Sequence, residues 1–191
     1  MSQLLFCGDP HGNFEHIREA VSRHSPAAII ILGDLDLKRP LEVELQSVLT
    51  LTEVWFVHGN HDTGSEAAHD NLFGSVLATQ NLHGRIADVA GYKIAGLGGV
   101  FRGQIWSPPA PPKFRSANDF LAGCGKGNRW RDGIPRKLRS SIYPTDIEQL
   151  LRGQADILVT HEAPESHRHG FAVIDELAGQ LGTTLSVHGH H

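Results

Sequence analysis

Five short clusters of Asp, Asn and His are the feature of this chain that could do chemistry. The clusters are Asp9-Pro10-His11, Gly33-Asp34, Gly59-Asn60-His61-Asp62, Thr160-His161 and Gly189-His190-His191. They offer carboxylate, amide and imidazole donors, which suit a borderline divalent metal ion such as Mn²⁺, Fe²⁺ or Zn²⁺. Any one cluster alone is more typical of a turn or a helix cap, since Asp, Asn and Gly favour both. All five in one place would form a metal site.

A short apolar segment precedes each cluster and predicts a β-strand there. The five segments are Gln3 to Cys7, Ala27 to Leu32, Val54 to Val57, Asp156 to Val159 and Leu185 to Val187. The second is continuously apolar rather than alternating, as in a parallel strand covered on both faces. Because open α/β sheets bind ligands at the carboxyl ends of their strands, we expect the five clusters to meet at one sheet edge.

Helical segments separate these strands, which is the pattern of a layered α/β protein. The signals for helices are Asn13 as a cap, Pro40 as a first residue, the capping-box pairs Thr63/Glu66 and Thr145/Glu148, and the spacing of Val173 to Leu181. The segments Arg85 to Val89 and Tyr92 to Leu97 alternate in polarity. They predict a hairpin that turns at Ala90-Gly91.

Length and composition exclude several classes of protein. The chain has 191 residues, of which 40% are apolar and 20% charged, so it has the size and composition of one globular domain. No apolar run reaches the ~18 residues of a membrane span, and the first residues lack the basic start of a signal peptide. Two cysteines, Cys7 and Cys124, do not make a disulfide framework. We therefore expect a cytoplasmic protein with no membrane partner.

The stretch from residue 102 to residue 143, called here the basic insertion, differs from the rest of the chain. It is rich in Gly and Pro and holds nine Lys or Arg but only two Asp, although the whole chain has a net charge of −4. Aromatic residues alternate with its cations, a mixture that suits phosphate neutralisation and base stacking. A lid over a nucleotide or an oligonucleotide is one interpretation. A solvated loop whose aromatic residues anchor it to the body is the other.

The order and spacing of the five clusters resemble the calcineurin-like metallophosphoesterase family, whose pattern is D-x-H, G-D, G-N-H-D/E, H and G-H-x-H. The resemblance covers nearly the whole chain. It implies a single domain over residues 1–191 with a four-layer α/β/β/α sandwich and two metal ions at the carboxyl ends of the strands. Mn²⁺ is the expected metal, with Fe, Zn²⁺ and Ni²⁺ as alternatives.

The resemblance also implies a role for each matching residue. Asp9 and His11 would hold one metal, Asn60, His161 and His190 the other, with Asp34 bridging both. His61 would be the catalytic residue that protonates the leaving group or stabilises charge in the transition state. The implied reaction is hydrolysis of a phosphodiester or a small phosphomonoester, nucleotides included, by in-line attack of a metal-bridging hydroxide. Asp62 would orient His61 or have a structural role. The substrate-binding residues and the oligomeric state stay open.

The sequence departs from the family pattern at two places, and these departures bear on which members of the family it resembles. Protein phosphatases have G-D-x-x-D-R-G, but here the second acid, Asp36, is one position early and no Gly follows Arg39. A phosphoprotein phosphatase is therefore not expected. The final His of G-H-x-H would fall one position after His191, which predicts a truncated chain, with His188 or His191 as the alternative fourth ligand of the first metal. A non-enzymatic scaffold and a nuclease that uses the basic insertion are the competing functions.

The other histidines carry weaker expectations. His58 and His188 are expected to pack beside the site, and His167 and His169 either line the substrate pocket or lie in a solvated loop. Four more are expected at the surface, namely His16, His24, His69 and His83.

Overall fold

A computed structural model describes residues 3–190, and these residues form two β-sheets. The first sheet is parallel and has the order β1 (Leu4–Cys7), β2 (Ala28–Ile31) and β3 (Glu53–Phe56). The strands of the second sheet, in spatial order, are β4 (Arg85–Val89), β5 (Tyr92–Leu97), β6 (Ile157–Thr160) and β7 (Leu185–His188). β4 and β5 are antiparallel, and the other neighbours in that sheet are parallel.

Six α-helices lie between these strands in the described residues. They are α1 (Glu15–His24), α2 (Leu41–Glu44), α3 (Glu66–Phe73), α4 (Ala117–Gly123), α5 (Pro144–Leu150) and α6 (Ala172–Leu181). Four short 3₁₀ turns add to them at His61–Thr63, Ala78–Gln80, Lys126–Asn128 and Arg136–Ser140. No helix in the described part is long and apolar enough to cross a bilayer.

Hydrophobic clusters show how these elements stack into four layers. One cluster joins α1, α2 and α3 to the first sheet, and another joins α5 and α6 to the second sheet. A third lies between the two sheets. Strand β2 shows why its sequence is continuously apolar, because Ile29 and Ile31 contact the helices while Ala28 and Ile30 contact the other sheet. The expected α/β/β/α sandwich is confirmed.

The hairpin prediction is confirmed, but the predicted helix caps are not. β4 and β5 pair from Val89 and Tyr92 outward, across Ala90-Gly91. The capping box at Thr63/Glu66 is wrong, since Ser65 caps α3 by accepting the Ala68 N–H (3.0 Å). Thr63 lies in the preceding 3₁₀ turn, where its hydroxyl contacts that of Ser140 (2.6 Å). The Thr63 side chain thus forms a long-range contact instead of capping the helix.

Three other helix starts differ in detail from those that the sequence predicts. The box at Thr145/Glu148 is wrong, because α5 begins two residues earlier and Asp146 accepts the Tyr143 N–H (2.8 Å). Asn13 does accept an N–H, that of Glu15 (3.1 Å), but it lies two residues before the start of α1, and Phe14 is at the cap position. The helix after Pro40 stops at Glu44, and the chain continues in turns that still bury Leu45 and Val48.

The basic insertion is folded and anchored to the body. Its own hydrophobic cluster contains Ile105, Ile134, Leu138 and Tyr143, with Phe114 and Phe120 against them. Arg131 forms ion pairs with Glu66 and Asp70 of α3, and the Trp130 ring meets the His69 ring edge to face at 4.7 Å. The aromatic anchoring expected of the second interpretation is therefore present. This segment lies against the helix that follows His61.

Candidate metal centre

The buried carboxylate of Asp34 is the centre of the site. Its Oδ1 accepts the backbone N–H of His61 (2.9 Å) and lies 3.5 Å from Nε2 of His161. Its Oδ2 lies 3.9 Å from Nε2 of His61 and 4.0 Å from Nδ1 of His190. A single side chain after β2 thus faces histidines that follow β3, β6 and β7.

The tautomer of His161 is set by a backbone contact. The ring is fully buried, and its Nδ1 donates to the carbonyl oxygen of Leu32 (2.8 Å), which can only accept. In the neutral ring Nε2 then carries the lone pair, and it faces Oδ1 of Asn60 at 3.4 Å as well as Asp34. A neutral imidazole held by its second nitrogen is the usual form of a histidine ligand.

The surroundings of the Asp9 carboxylate indicate whether this site suits a cation. Its Oδ2 accepts the backbone N–H of His190 (2.7 Å). Its Oδ1 is buried and has no hydrogen-bond partner among residues 3–190, and it lies 3.6 Å from Nδ1 of His161. An unpaired buried carboxylate oxygen is costly unless a donor or a cation satisfies it. The donor set and this orphaned oxygen fit a divalent metal.

Two groups of donors within residues 3–190 have ligand atoms that all lie within 4.8 Å of one another. One is Asp34, His161 and His190, and the other is His11, Asp36 and His61. The structure thus brings the predicted residues to the same edge of the two sheets, at the carboxyl ends of their strands. Among the alternatives for a fourth ligand, His188 contacts the Gly189 carbonyl through Nδ1 (2.9 Å), and His191 lies outside the described residues.

Comparison with known proteins agrees with this geometry. The family model for calcineurin-like phosphoesterases matches residues 2–191. The chain belongs to the calcineurin-like phosphoesterase family. This phosphoesterase is also 46% identical over 188 residues to an uncharacterized protein of Haemophilus influenzae, and the match covers 98% of this chain and 82% of that protein. The predicted family is confirmed. Membership of this family indicates a metal-dependent hydrolase of phosphate esters.

Asp36 is the residue of the site that sequence reasoning missed. Its Oδ2 lies 2.7 Å from Nδ1 of His11 and 3.2 Å from Nδ1 of His61, and the two rings meet edge to face. The hydrogen bond from Asp36 raises the pKa of His11 above its ordinary value. The signal was present as a second acid two positions after Asp34. It was interpreted only as a departure from the protein-phosphatase pattern.

Asp62 has a structural role in this phosphoesterase. It is buried, and its two oxygens accept the backbone N–H groups of Leu35 (2.8 Å), Asp36 (3.2 Å) and Gly59 (2.8 Å). Burial raises its pKa to about 7, although these three N–H groups oppose the rise. It therefore fastens the loop after β2 to the loop after β3, so the structural alternative fits the contacts better than orientation of His61.

Two glycines let the loops approach closely enough. A Cβ on Gly59 would overlap the Asp34 carboxylate and the His161 ring. A Cβ on Gly33, which has a φ of +106°, would overlap His161 as well. The glycines of G-D and G-N-H-D are thus required by the space that the site side chains occupy.

The histidines outside the proposed ligand set differ in how deeply they are buried. His58 is buried against the rings of Phe73 and His83, and its burial lowers its pKa well below the ordinary value. His16 and His24 are exposed, as predicted. The expectation for His69 and His83 is wrong, because their side chains are only 11% and 21% exposed.

The physical reason is long-range packing. His69 is covered by Trp130 of the basic insertion, and Nδ1 of His83 accepts the Gly98 N–H (3.1 Å).

In the loop after β6, the rings of His167 and His169 lie 5.8 Å apart, and His167 lies 6.1 Å from the ring of His188.

Proposed function

We propose that this phosphoesterase hydrolyses a phosphodiester or a small phosphomonoester with two divalent metal ions. The observation that carries the proposal is the position of Asp34, whose two oxygens face different histidines on separate loops. A carboxylate so placed suits a bridge between close cations, because it has two donor atoms and a charge that offsets theirs.

The proposed ligands are those implied by the family pattern, and contacts around that bridge support part of the set. Asp9 and His11 serve one metal, and Asn60, His161 and His190 serve the other. Support comes from the unpaired Oδ1 of Asp9 and from the lone pair of His161 Nε2 beside Asn60. When bound, such ions supply an activated water and withdraw charge from the phosphate. Mn²⁺ is the proposed metal, with Fe, Zn²⁺ and Ni²⁺ as alternatives.

His61 is proposed as the general acid for the leaving group. Its side chain is 51% exposed, so it can reach a substrate that buried ligands cannot. Asp36 contacts its Nδ1 (3.2 Å), so Nε2 is the nitrogen left for the leaving oxygen, and in the imidazolium form it would carry the proton that this oxygen needs. His61 also donates its backbone N–H to Asp34, which fixes its position relative to the bridge.

The competing functions have weaker support from the contacts. A non-enzymatic scaffold would not need His61, and here that ring is oriented by Asp36. A nuclease would need a long row of free cations to follow a polynucleotide backbone, yet four arginines of the basic insertion contact protein groups. These are Arg115 with Glu148, Arg131 with Glu66 and Asp70, Arg136 with the Gly64 carbonyl, and Arg139 over the Trp130 ring.

Hydrolysis of two chromogenic esters tests the proposal. Bis-p-nitrophenyl phosphate and p-nitrophenyl phosphate are supplied to the Mn²⁺-loaded protein and to His61→Ala. The wild type is expected to hydrolyse at least one ester. His61→Ala is expected to lose about 10²- to 10⁴-fold in kcat while it still binds metal.

His24→Ala is the matched control, since His24 is an exposed histidine on α1. Equal turnover by His61→Ala and wild type would remove the assigned role. No turnover of either ester by a metal-loaded wild type would favour the scaffold.

A further inference from the structure

An open cleft of about 330 Å³ lies beside the proposed catalytic histidine. Its lining includes Asn60 and His61 from the metal centre and Arg102 and Lys137 from the basic insertion. We call it the cation cleft. Of its described lining residues Asp36 alone carries a carboxylate, and that group already contacts His11 and His61. Neither cation of the cleft forms an ion pair with another acid in the described residues, although the buried carboxyl of Glu162 interacts with the charge of Arg102.

The guanidinium group of Arg102 has a hydrogen-bond donor that is not used. Its guanidinium donates through Nη2 to Oγ of Ser140 (3.3 Å), but its Nε is buried and has no hydrogen-bond partner in residues 3–190. It forms no ion pair with a carboxylate in this part of the chain, unlike Arg131 and Arg115. A buried donor without a partner is costly, and an anion in the cleft would supply one.

Lys137 is held in position although its side chain is exposed. It lies in the 3₁₀ turn Arg136–Ser140, and within the described residues its ammonium forms no ion pair. The turn is tied to the loop of His61 at two points. Arg136 donates to the Gly64 carbonyl (3.0 Å), and the hydroxyls of Ser140 and Thr63 are 2.6 Å apart. These contacts fix the backbone of the turn that carries Lys137 relative to the loop of His61.

We propose that the cation cleft binds a second phosphate group of the substrate, one that is not hydrolysed. The preferred substrates would then be phosphate esters that carry a further phosphate, such as esters of nucleoside bisphosphates. Arg and Lys are the side chains that bind phosphate, Arg through paired donors and Lys as a point charge. This inference rests on the proposed function, because the cleft opens directly onto Asn60 and His61.

A matched pair of substrates tests the proposal. The pair is thymidine 5′-(p-nitrophenyl phosphate) and the same compound with a phosphate on its 3′ oxygen. The Mn²⁺-loaded wild type is expected to favour the second compound by at least about tenfold in kcat/KM. Arg102→Gln and Lys137→Gln are expected to bring this ratio towards one, mainly through KM. Lys126→Gln, an exposed lysine of the same insertion outside the cation cleft, should keep the ratio.

A ratio near one in the wild type, or an unchanged ratio in both cleft variants, would overturn the inference while the hydrolysis itself upheld the proposed function. If neither compound is hydrolysed, turnover of the two chromogenic esters decides the proposed function, and binding decides the inference. Calorimetry then compares thymidine 3′,5′-bisphosphate with thymidine 5′-phosphate on the Mn²⁺-loaded protein. Tighter binding of the bisphosphate, lost in the Arg102→Gln/Lys137→Gln double variant, supports the cleft. Equal affinities overturn it.

Discussion

The Oδ2 atom of Asp36 lies 3.2 Å from Nδ1 of His61, which leaves the other ring nitrogen of His61 directed towards the Asp34 carboxylate at 3.9 Å. The pair joins the loop after β2 to the loop after β3. Orientation of the proposed general acid thus depends on a side chain that is not among the proposed ligands.

Removal of Asp36 should therefore slow the reaction without emptying the site. Asp36→Ala is expected to lower kcat by about 10- to 100-fold, the usual cost of losing a group that orients a catalytic or ligating histidine. The assay uses saturating Mn²⁺, because Asp36 also contacts the proposed ligand His11 (2.7 Å) and its loss weakens metal binding. Under that condition KM should change little, and metal content measured by elemental analysis should stay at the wild-type value. Asp88→Asn, at an exposed position of β4, is the control. A wild-type kcat in Asp36→Ala would show that His61 is positioned by other contacts.

A methyl group at position 59 should destroy the metal site. In Gly59→Ala the new Cβ would collide with Asp34 and His161, so the proposed bridge and a proposed ligand must move. Mn²⁺ affinity measured by calorimetry is expected to fall by at least about tenfold, because ligand displacement of a few tenths of an ångström already weakens coordination. Gly179→Ala in α6 meets no atom within 4 Å and should bind Mn²⁺ normally. Equal affinities in the two variants would contradict this packing argument.

Metal removal should lower stability as well as activity. The buried Asp34 and the unpaired Oδ1 of Asp9 are left without a cation when metal is chelated. A ligand present at 100 times its Kd adds about 2.7 kcal/mol to the free energy of unfolding. Thermal unfolding with EDTA is therefore expected at a lower Tm than with Mn²⁺, and the difference should vanish in Asp34→Asn. A Tm that does not respond to Mn²⁺ would argue against a metal at this site.

The ion pair between Arg131 and Asp70 should make the insertion sensitive to acid. Hydrogen bonds from Arg131 lower the pKa of Asp70 from 3.8 to about 2. Because the folded-state pKa is the lower one, the stabilisation is present above pH 3.8 and is lost as the pH falls through 2.

Urea unfolding of wild type and Asp70→Asn at pH 6, 4 and 2.5 measures this effect. The wild type is expected to be the more stable at pH 6, by a small amount since both groups are exposed, and the difference should shrink at pH 2.5. Asp88→Asn should show no such trend. A difference that is constant with pH would mean that Asp70 does not act through its charge.

Local patterns were sufficient to predict the strands, the hairpin and the polar clusters that carry the candidate ligands, and the resemblance to the family implied the two-sheet sandwich. The continuous apolar run of β2 and the polar clusters after each strand are properties of neighbouring residues, and parallel strands bring their carboxyl ends together whatever the loops contain. Helix caps were less predictable. Thr63 has a capping sequence, yet its hydroxyl contacts Ser140, 77 positions further along the chain.

Only the tertiary structure decided the surroundings of the site. Composition marked residues 102–143 as basic, but it could not tell which cations pair with acids and which face the cleft. That division depends on contacts between residues far apart in the chain, such as Arg131 with Glu66 and Arg136 with Gly64. The sequence by itself determined which donors meet at the strand ends, because strand order and spacing set that. Long-range packing of the insertion decided that Arg102 and Lys137 stand beside His61.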